Sequence, residues 1–145
     1  MLEMTRTEGA PMPGGAAAVS SGSGLRQTVV YLGERLGLEV RIEVRVGRRV
    51  WGAVRYIDVV LTHPTTRLAL GVECKFQATS GSAEEKIAAV LNDIAAWPIR
   101  GIVVIAGPGF SANMRGYLLS TGKVLDLADL GDWLALFFGL EPNAT

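Results

Sequence analysis

Three charged residues sit inside apolar runs where charges are not expected: Asp58, Glu73 and Lys75. They belong to Arg55–Gln77, RYIDVVLTHPTTRLALGVECKFQ, in which two apolar runs flank the turn His63-Pro64-Thr65-Thr66-Arg67. Ile57, Val59, Val60 and Leu61 before the turn, and Leu68, Leu70, Val72 and Phe76 after it, read as buried β-strands. Side chains alternate along a strand, so Glu73 and Lys75 share a face with Gly71 and Gln77, while Val72, Cys74 and Phe76 take the other. A charge left unpaired in an interior is strongly destabilising, so the acid and the amine need partners. Asp58 on the neighbouring run is the candidate. Two carboxylates and a lysine at the ends of adjacent strands can hold a divalent cation with an amine beside it, a set suited to phosphodiester hydrolysis.

Asp58, fourteen intervening residues and then Glu73-Cys74-Lys75 resemble the core signature of the PD-(D/E)XK nuclease superfamily, with Ile57 standing where that signature has proline. Ser80–Ile87, directly after the Glu-x-Lys strand, resembles a segment of small members. The resemblance implies an α/β, restriction-endonuclease-like fold: a central mixed β-sheet with an N-terminal helix, antiparallel hairpin strands and a βαβ crossover, flanked by helices. It also implies cleavage of DNA with Mg²⁺, for which Mn²⁺ can substitute. Asp58, Glu73 and the backbone carbonyl of Cys74 would then be metal ligands, and Lys75 would orient the attacking water or stabilise the transition state. Gln77, on the same strand face, would position water or a phosphate oxygen. Members that resolve DNA junctions often carry a glutamate near the start of the first helix. Counting back from Gly37 places Gln27 there, which can orient a ligand but brings no charge. The alternative is a catalytically inactive nuclease-fold module for DNA binding or assembly, and both Gln27 and the neutral net charge lean that way.

Composition bounds these readings. The 145 residues suit a single domain, 49% of them are apolar, and the formal net charge is zero, so DNA contact has to come from a local patch rather than a global field. A lone cysteine, Cys74, excludes an internal disulfide and fits a reducing, cytoplasmic setting. A lone histidine, His63, excludes a His-rich zinc site. Hard oxygen ligands favour magnesium over zinc. No apolar run is long enough for a membrane span and no signal-peptide pattern opens the chain.

The elements that must position the three charges follow in chain order. Residues 1–24, rich in Gly, Ala, Ser, Pro and Thr, read as a flexible tail; residues 25–140 form the nuclease-like domain and 141–145 a second tail. Leu25–Leu36 is the first helix, stopped by Gly37. Leu38, Val40, Ile42, Val44 and Val46 alternate with Glu39, Arg41, Glu43 and Arg45, as in a half-exposed antiparallel strand. Gly47-Arg48-Arg49 turns the chain and Val50–Leu61 returns. Five arginines, including Arg48, Arg49 and Arg55, face two glutamates in this hairpin. With Trp51 and Tyr56 between them they could grip a phosphate backbone, or be an ordinary solvated face.

Ser82 and Glu85 have capping-box spacing ahead of Ile87, Val90, Leu91 and Ile94. Lys86 follows the Glu-x-Lys strand closely enough to reach a phosphate. Gly101–Ala106 reads as a strand covered on both faces, and Gly107-Pro108-Gly109 as a turn. A helix over Ser111–Ser120 presents Met114, Tyr117 and Leu118 on its apolar side, and a short strand spans Lys123–Leu127. A last helix, from Asp129 or Leu130 through Leu140, is apolar nearly all round and suggests a homodimer.

Overall fold

The most apolar stretch, Ile102–Ala106, lies inside β4 with each of these residues buried, because helices cover both faces of the strand. The computed structural model describes residues 19–48, 54–79 and 83–141. The chain runs α1 (Gly22–Arg35), β1 (Glu39–Arg48), β2 (Val54–Thr62), β3 (Ala69–Phe76), α2 (Ala83–Ala95), β4 (Arg100–Ala106), α3 (Ala112–Leu119), β5 (Val124–Asp126) and α4 (Leu127–Phe138). The sheet order is β1-β2-β3-β4-β5. β1, β2 and β3 pair antiparallel, while β3, β4 and β5 pair parallel. Two cores result. Leu25 and Val29 of α1 and Leu127, Leu130, Leu134 and Phe138 of α4 pack on one face of the sheet. Ile87 and Ile94 of α2, Trp97, Phe110 and Leu118 of α3 pack on the other. This α/β architecture is restriction-endonuclease-like, as the resemblance implied.

Several local expectations need correction. α1 starts at Gly22 rather than Leu25, since Ser21 Oγ accepts the Gly24 N–H at 3.0 Å and caps the helix there. β1 is extended as expected, but its alternating valines do not share one side. Leu38 and Val40 belong to the α1/α4 core, whereas Val44 and Val46 pack on the α2/α3 core, and Ile42 is 52% exposed. β2 changes sides with it: Val59 and Leu61 join the first core and Ile57 the second. The ladder pairs Ile42 with Val59 and Val44 with Ile57, which sets Glu43 opposite Asp58 at the turning point. Glu43 makes the turn with φ at 49°, a left-handed conformation that costs a non-glycine residue about 1–2 kcal/mol.

α4 differs too. It begins at Leu127, capped by Asp126, whose Oδ1 accepts the Ala128 N–H at 3.1 Å. The core hides most of its apolar residues; Trp133 and Phe137 are partly buried and stacked at 5.1 Å, leaving Leu136 at 81% exposure. On α3, Leu118 is buried but Tyr117 faces solvent. A glycine pair shapes the second core. Gly71 and Gly101 are partners across β3 and β4. A Cβ on either would lie within 2.7 Å of the Trp97 ring, so the indole lies flat against bare backbone.

Candidate active site

The site arises where the sheet splits. The β2–β3 ladder runs from Thr62↔Ala69 to Val59↔Val72 and stops there. β2 stays paired with β1 as far as Val54, and β3 stays paired with β4 as far as Phe76. Beyond Val59 and Val72 the two halves of the sheet therefore separate, with Asp58 on one side of the gap and Glu73, Cys74 and Lys75 on the other. Backbone groups freed by such a split need new partners. The two carboxylates supply them: Cys74 N–H donates to Asp58 Oδ2 at 2.9 Å, and Asp58 N–H donates to Glu73 Oε1 at 3.1 Å. Each carboxylate keeps one further oxygen.

Asp58, Cys74 and Lys75 line an open cavity of about 340 Å³ together with Gly22, Ser23 and Arg26 of α1. Glu73 is half-buried beside it, and burial, reinforced by the Asp58 charge, pushes its carboxyl from 4.5 up to about 7. The hydrogen bond from Asp58 N–H and the Lys75 charge pull the other way. Burial and the same two acids raise the Cys74 thiol, which keeps it protonated and unreactive. Two carboxylates crowded together with spare oxygens are a hard, anionic donor set, and the residues present fit a divalent cation. Among the described residues no three His, Cys, Asp or Glu side chains cluster closely enough to hold a metal ion between them.

The remaining sequence candidates fall at different distances from this gap. Gln77 extends β3: its N–H donates to Ala106 O at 3.1 Å, its carbonyl accepts from Gly109 N–H at 2.8 Å, and its side-chain Nε2 donates to Gly109 O at 3.3 Å. Gly107-Pro108-Gly109 thus clasps the end of the strand. A Cβ at Gly107 would lie 2.3 Å from Gln77 O, and one at Gly109 2.5 Å from Thr79 O. Gln77 and Lys86 share with Lys75 a second cavity of about 240 Å³, walled by Ile87 and Phe110. Arg55 points to α2 and pairs with Asp93 at 2.8 Å, with both side chains largely enclosed. Gln27 is exposed on α1 and does not line the cavity. Arg48 ends β1, while Arg49, Trp51 and Ser82 lie outside the described residues. His63 accepts from the Thr65 and Thr66 N–H groups and serves its own turn.

Two residues that sequence reasoning did not single out stand at the site. Arg26 lines the cavity, one position from Gln27, on the same helix face as Ser23. Its Nη1 donates to Glu43 Oε2 at 3.0 Å. The face of α1 could have been found by testing each register against the buried Leu25 and Val29; nothing in the sequence marks Glu43.

Three comparisons set the chain beside known proteins. The chain matches no curated protein. A crystal structure of a protein of unknown function, AF1548, is similar at a TM-score of 0.49 and 20% identity. The match covers 70% of this chain and 54% of that one, so this chain spans about half the length of that neighbour. A family model described as a PD-(D/E)XK nuclease superfamily domain matches residues 12–128. With a split mixed sheet that carries an acid on one strand and Glu-x-Lys on the next, the chain belongs to the PD-(D/E)XK nuclease superfamily.

Proposed function

We propose that this protein is a metal-dependent nuclease that hydrolyses phosphodiester bonds of DNA at the gap between β2 and β3. The reading is carried by one observation: Asp58 and Glu73 are locked across the split by reciprocal backbone hydrogen bonds, with Lys75 lining the same cavity as Asp58. Asp58, Glu73 and the Cys74 carbonyl would hold Mg²⁺, or Mn²⁺ in its place. Such an ion supplies a more acidic bound water and screens phosphate charge. The chain's own groups do the rest. The backbone donors fix one oxygen of each carboxylate, so the others are held ready without a reorganisation cost. Lys75, which lines this cavity, would orient the attacking water or meet the phosphate oxygens. Gln77 holds the end of β3 and Lys86 offers a second cation to the neighbouring stretch of backbone.

Plasmid DNA incubated with the protein and Mg²⁺ or Mn²⁺ should be cut, and Asp58→Asn and Lys75→Ala should each lower the rate by about 10³-fold, the order expected for losing a group that stabilises transition-state charge. Cutting that survives both substitutions would rule out this site. A second reading, an inactive DNA-binding or assembly module, draws on Arg26, because α1 brings a cation and no acid to the cavity. Gel-shift binding without cleavage at any divalent ion would favour it. No helix among the described residues is long and apolar enough to cross a membrane. A cytoplasmic enzyme with an intracellular DNA substrate, and a homodimer formed at α4, complete the proposal.

A further inference from the structure

The cavity of about 240 Å³ beside the gap has a lining of two kinds. Lys75, Gln77 and Lys86 bring polar ends to it, while Phe76, Ile87 and Phe110 give it apolar walls. Lys75 also lines the cavity of Asp58, so the two spaces meet at that lysine. No carboxylate among the described residues lines the second one. Two ammonium groups above an apolar wall suit an anion that carries a flat or apolar body, not a cation.

The apolar wall is set before a ligand arrives. Ile87 and Phe110 are buried members of the second core. The Gly107-Pro108-Gly109 turn that leads into Phe110 is tied to Gln77 through Gly109. From α3, Arg115 donates to Gly107 O at 2.8 Å, pairs with Asp126 and lies over the Phe110 ring at 5.8 Å. A wall already fixed gives up little conformational freedom on binding. Lys86, by contrast, is exposed on α2 and its ammonium is open to an incoming phosphate.

Double-helical DNA offers a protein its phosphates and groove edges, with the base faces stacked inside. It has nothing to lay against a phenyl ring and an isoleucine. An unpaired nucleotide has both parts, a phosphate for the lysines and a base face for the wall. The zero net charge of the chain points the same way. Duplex is gripped mainly through many phosphate contacts, whereas a single strand gains from base contacts as well. We propose that this cavity holds one unpaired nucleotide of the strand being cut, its base against Ile87 and Phe110 and its phosphate at Lys75 and Lys86. The substrate is then single-stranded DNA, or an unpaired stretch within a duplex. The proposal deepens the nuclease reading and rests on it for the identity of the strand. A matched duplex has first to unstack that nucleotide, which makes it the slower substrate.

Fluorescence anisotropy with the full chain in chelator tests the cavity apart from cleavage. A short single-stranded DNA should bind about 10-fold more tightly than the same sequence as a matched duplex, and about 10-fold more tightly than a wholly abasic strand of equal length and charge. Duplex or abasic strand bound as tightly as the normal single strand would overturn the proposal, as would no binding of any of them. Lys86→Ala should flatten the slope of log affinity against log salt by about 0.7, the share of one phosphate on a single strand. It should leave the preference over the abasic strand intact. Phe110→Leu, with its fold checked by Tm, should narrow that preference and leave the salt slope unchanged. Cleavage of the same strands with Mg²⁺ or Mn²⁺ is read separately. Selective single-strand binding without cutting would sink the nuclease reading and leave a nucleotide-binding cavity standing; cutting without the selectivity would do the reverse.

Discussion

The two halves of the split sheet are built to different standards. β4 is sealed between two cores, and β3 is pinned to it by a continuous parallel ladder from Leu70 to Phe76. The β1–β2 arm changes faces midway and leaves Ile42 and Tyr56 more than half exposed. Glu73 and Lys75 belong to the first half and Asp58 to the second. The difference teaches where the precision of the site resides. The sealed half fixes the Glu-x-Lys pair, and beyond the end of the β2–β3 ladder the arm is tied to its surroundings by a few specific bonds: the two carboxylate rungs, the Arg26–Glu43 pair and the Arg55–Asp93 pair.

Substitutions can break this comparison from the strong side first. Gly101→Ala drives a Cβ to 2.5 Å from the Trp97 ring, and overpacking of that kind should cost about 1–3 kcal/mol in urea unfolding. Equal stability with the wild type would mean that Trp97 is not seated as firmly as the comparison requires. On the arm, Arg55→Ala removes one side of a largely enclosed ion pair and leaves Asp93 without it. About 1–3 kcal/mol is expected, less than for a fully buried pair, together with faster hydrogen exchange in β2 than in β4. Uniform exchange across both strands would erase the distinction between the halves.

A smaller effect sharpens the picture at the gap itself. The Glu73 carboxyl is raised from 4.5 to about 7 in the folded protein, chiefly by burial. A raised value means that the folded state binds the proton more tightly than the unfolded one. This contribution to stability is therefore full below 4.5 and is lost as pH rises to about 7. In chelator, the Tm difference between wild type and Glu73→Gln should change across that window and level off above it. A flat difference would show that Glu73 is not enclosed. Least of all, Leu136→Ser should change stability by under about 0.5 kcal/mol, since the side chain is 81% exposed. A fall in sedimentation coefficient in that variant would reveal the α4 dimer.

Some of this was written plainly in the chain. The β4 run is legible because a strand buried on both faces has no polar positions to confuse it. Glu73 and Lys75 are legible because charges inside an apolar run stand out. The arm is harder. Its valines and arginines alternate without interruption, yet the backbone turns over at Glu43, and a residue in a left-handed conformation looks in sequence like any other solvated glutamate. Arg26 was missed through a helix register measured from Gly37, which lies beyond the end of α1 at Arg35. The end of the β2–β3 ladder is marked in residue type only by Asp58 and Glu73, and Ile57 continues the apolar run past the split.

On the proposed nuclease reading, Asp58 and Glu73 would hold two jobs at once. Each supplies an acceptor that the interrupted ladder lacks, so a lineage that stopped cutting nucleic acid would still be selected to retain both, simply to keep its strands together. Lys75 fills no such vacancy in the ladder. Among relatives of this chain, the fate of that lysine is the mark by which working enzymes and retired ones are to be told apart.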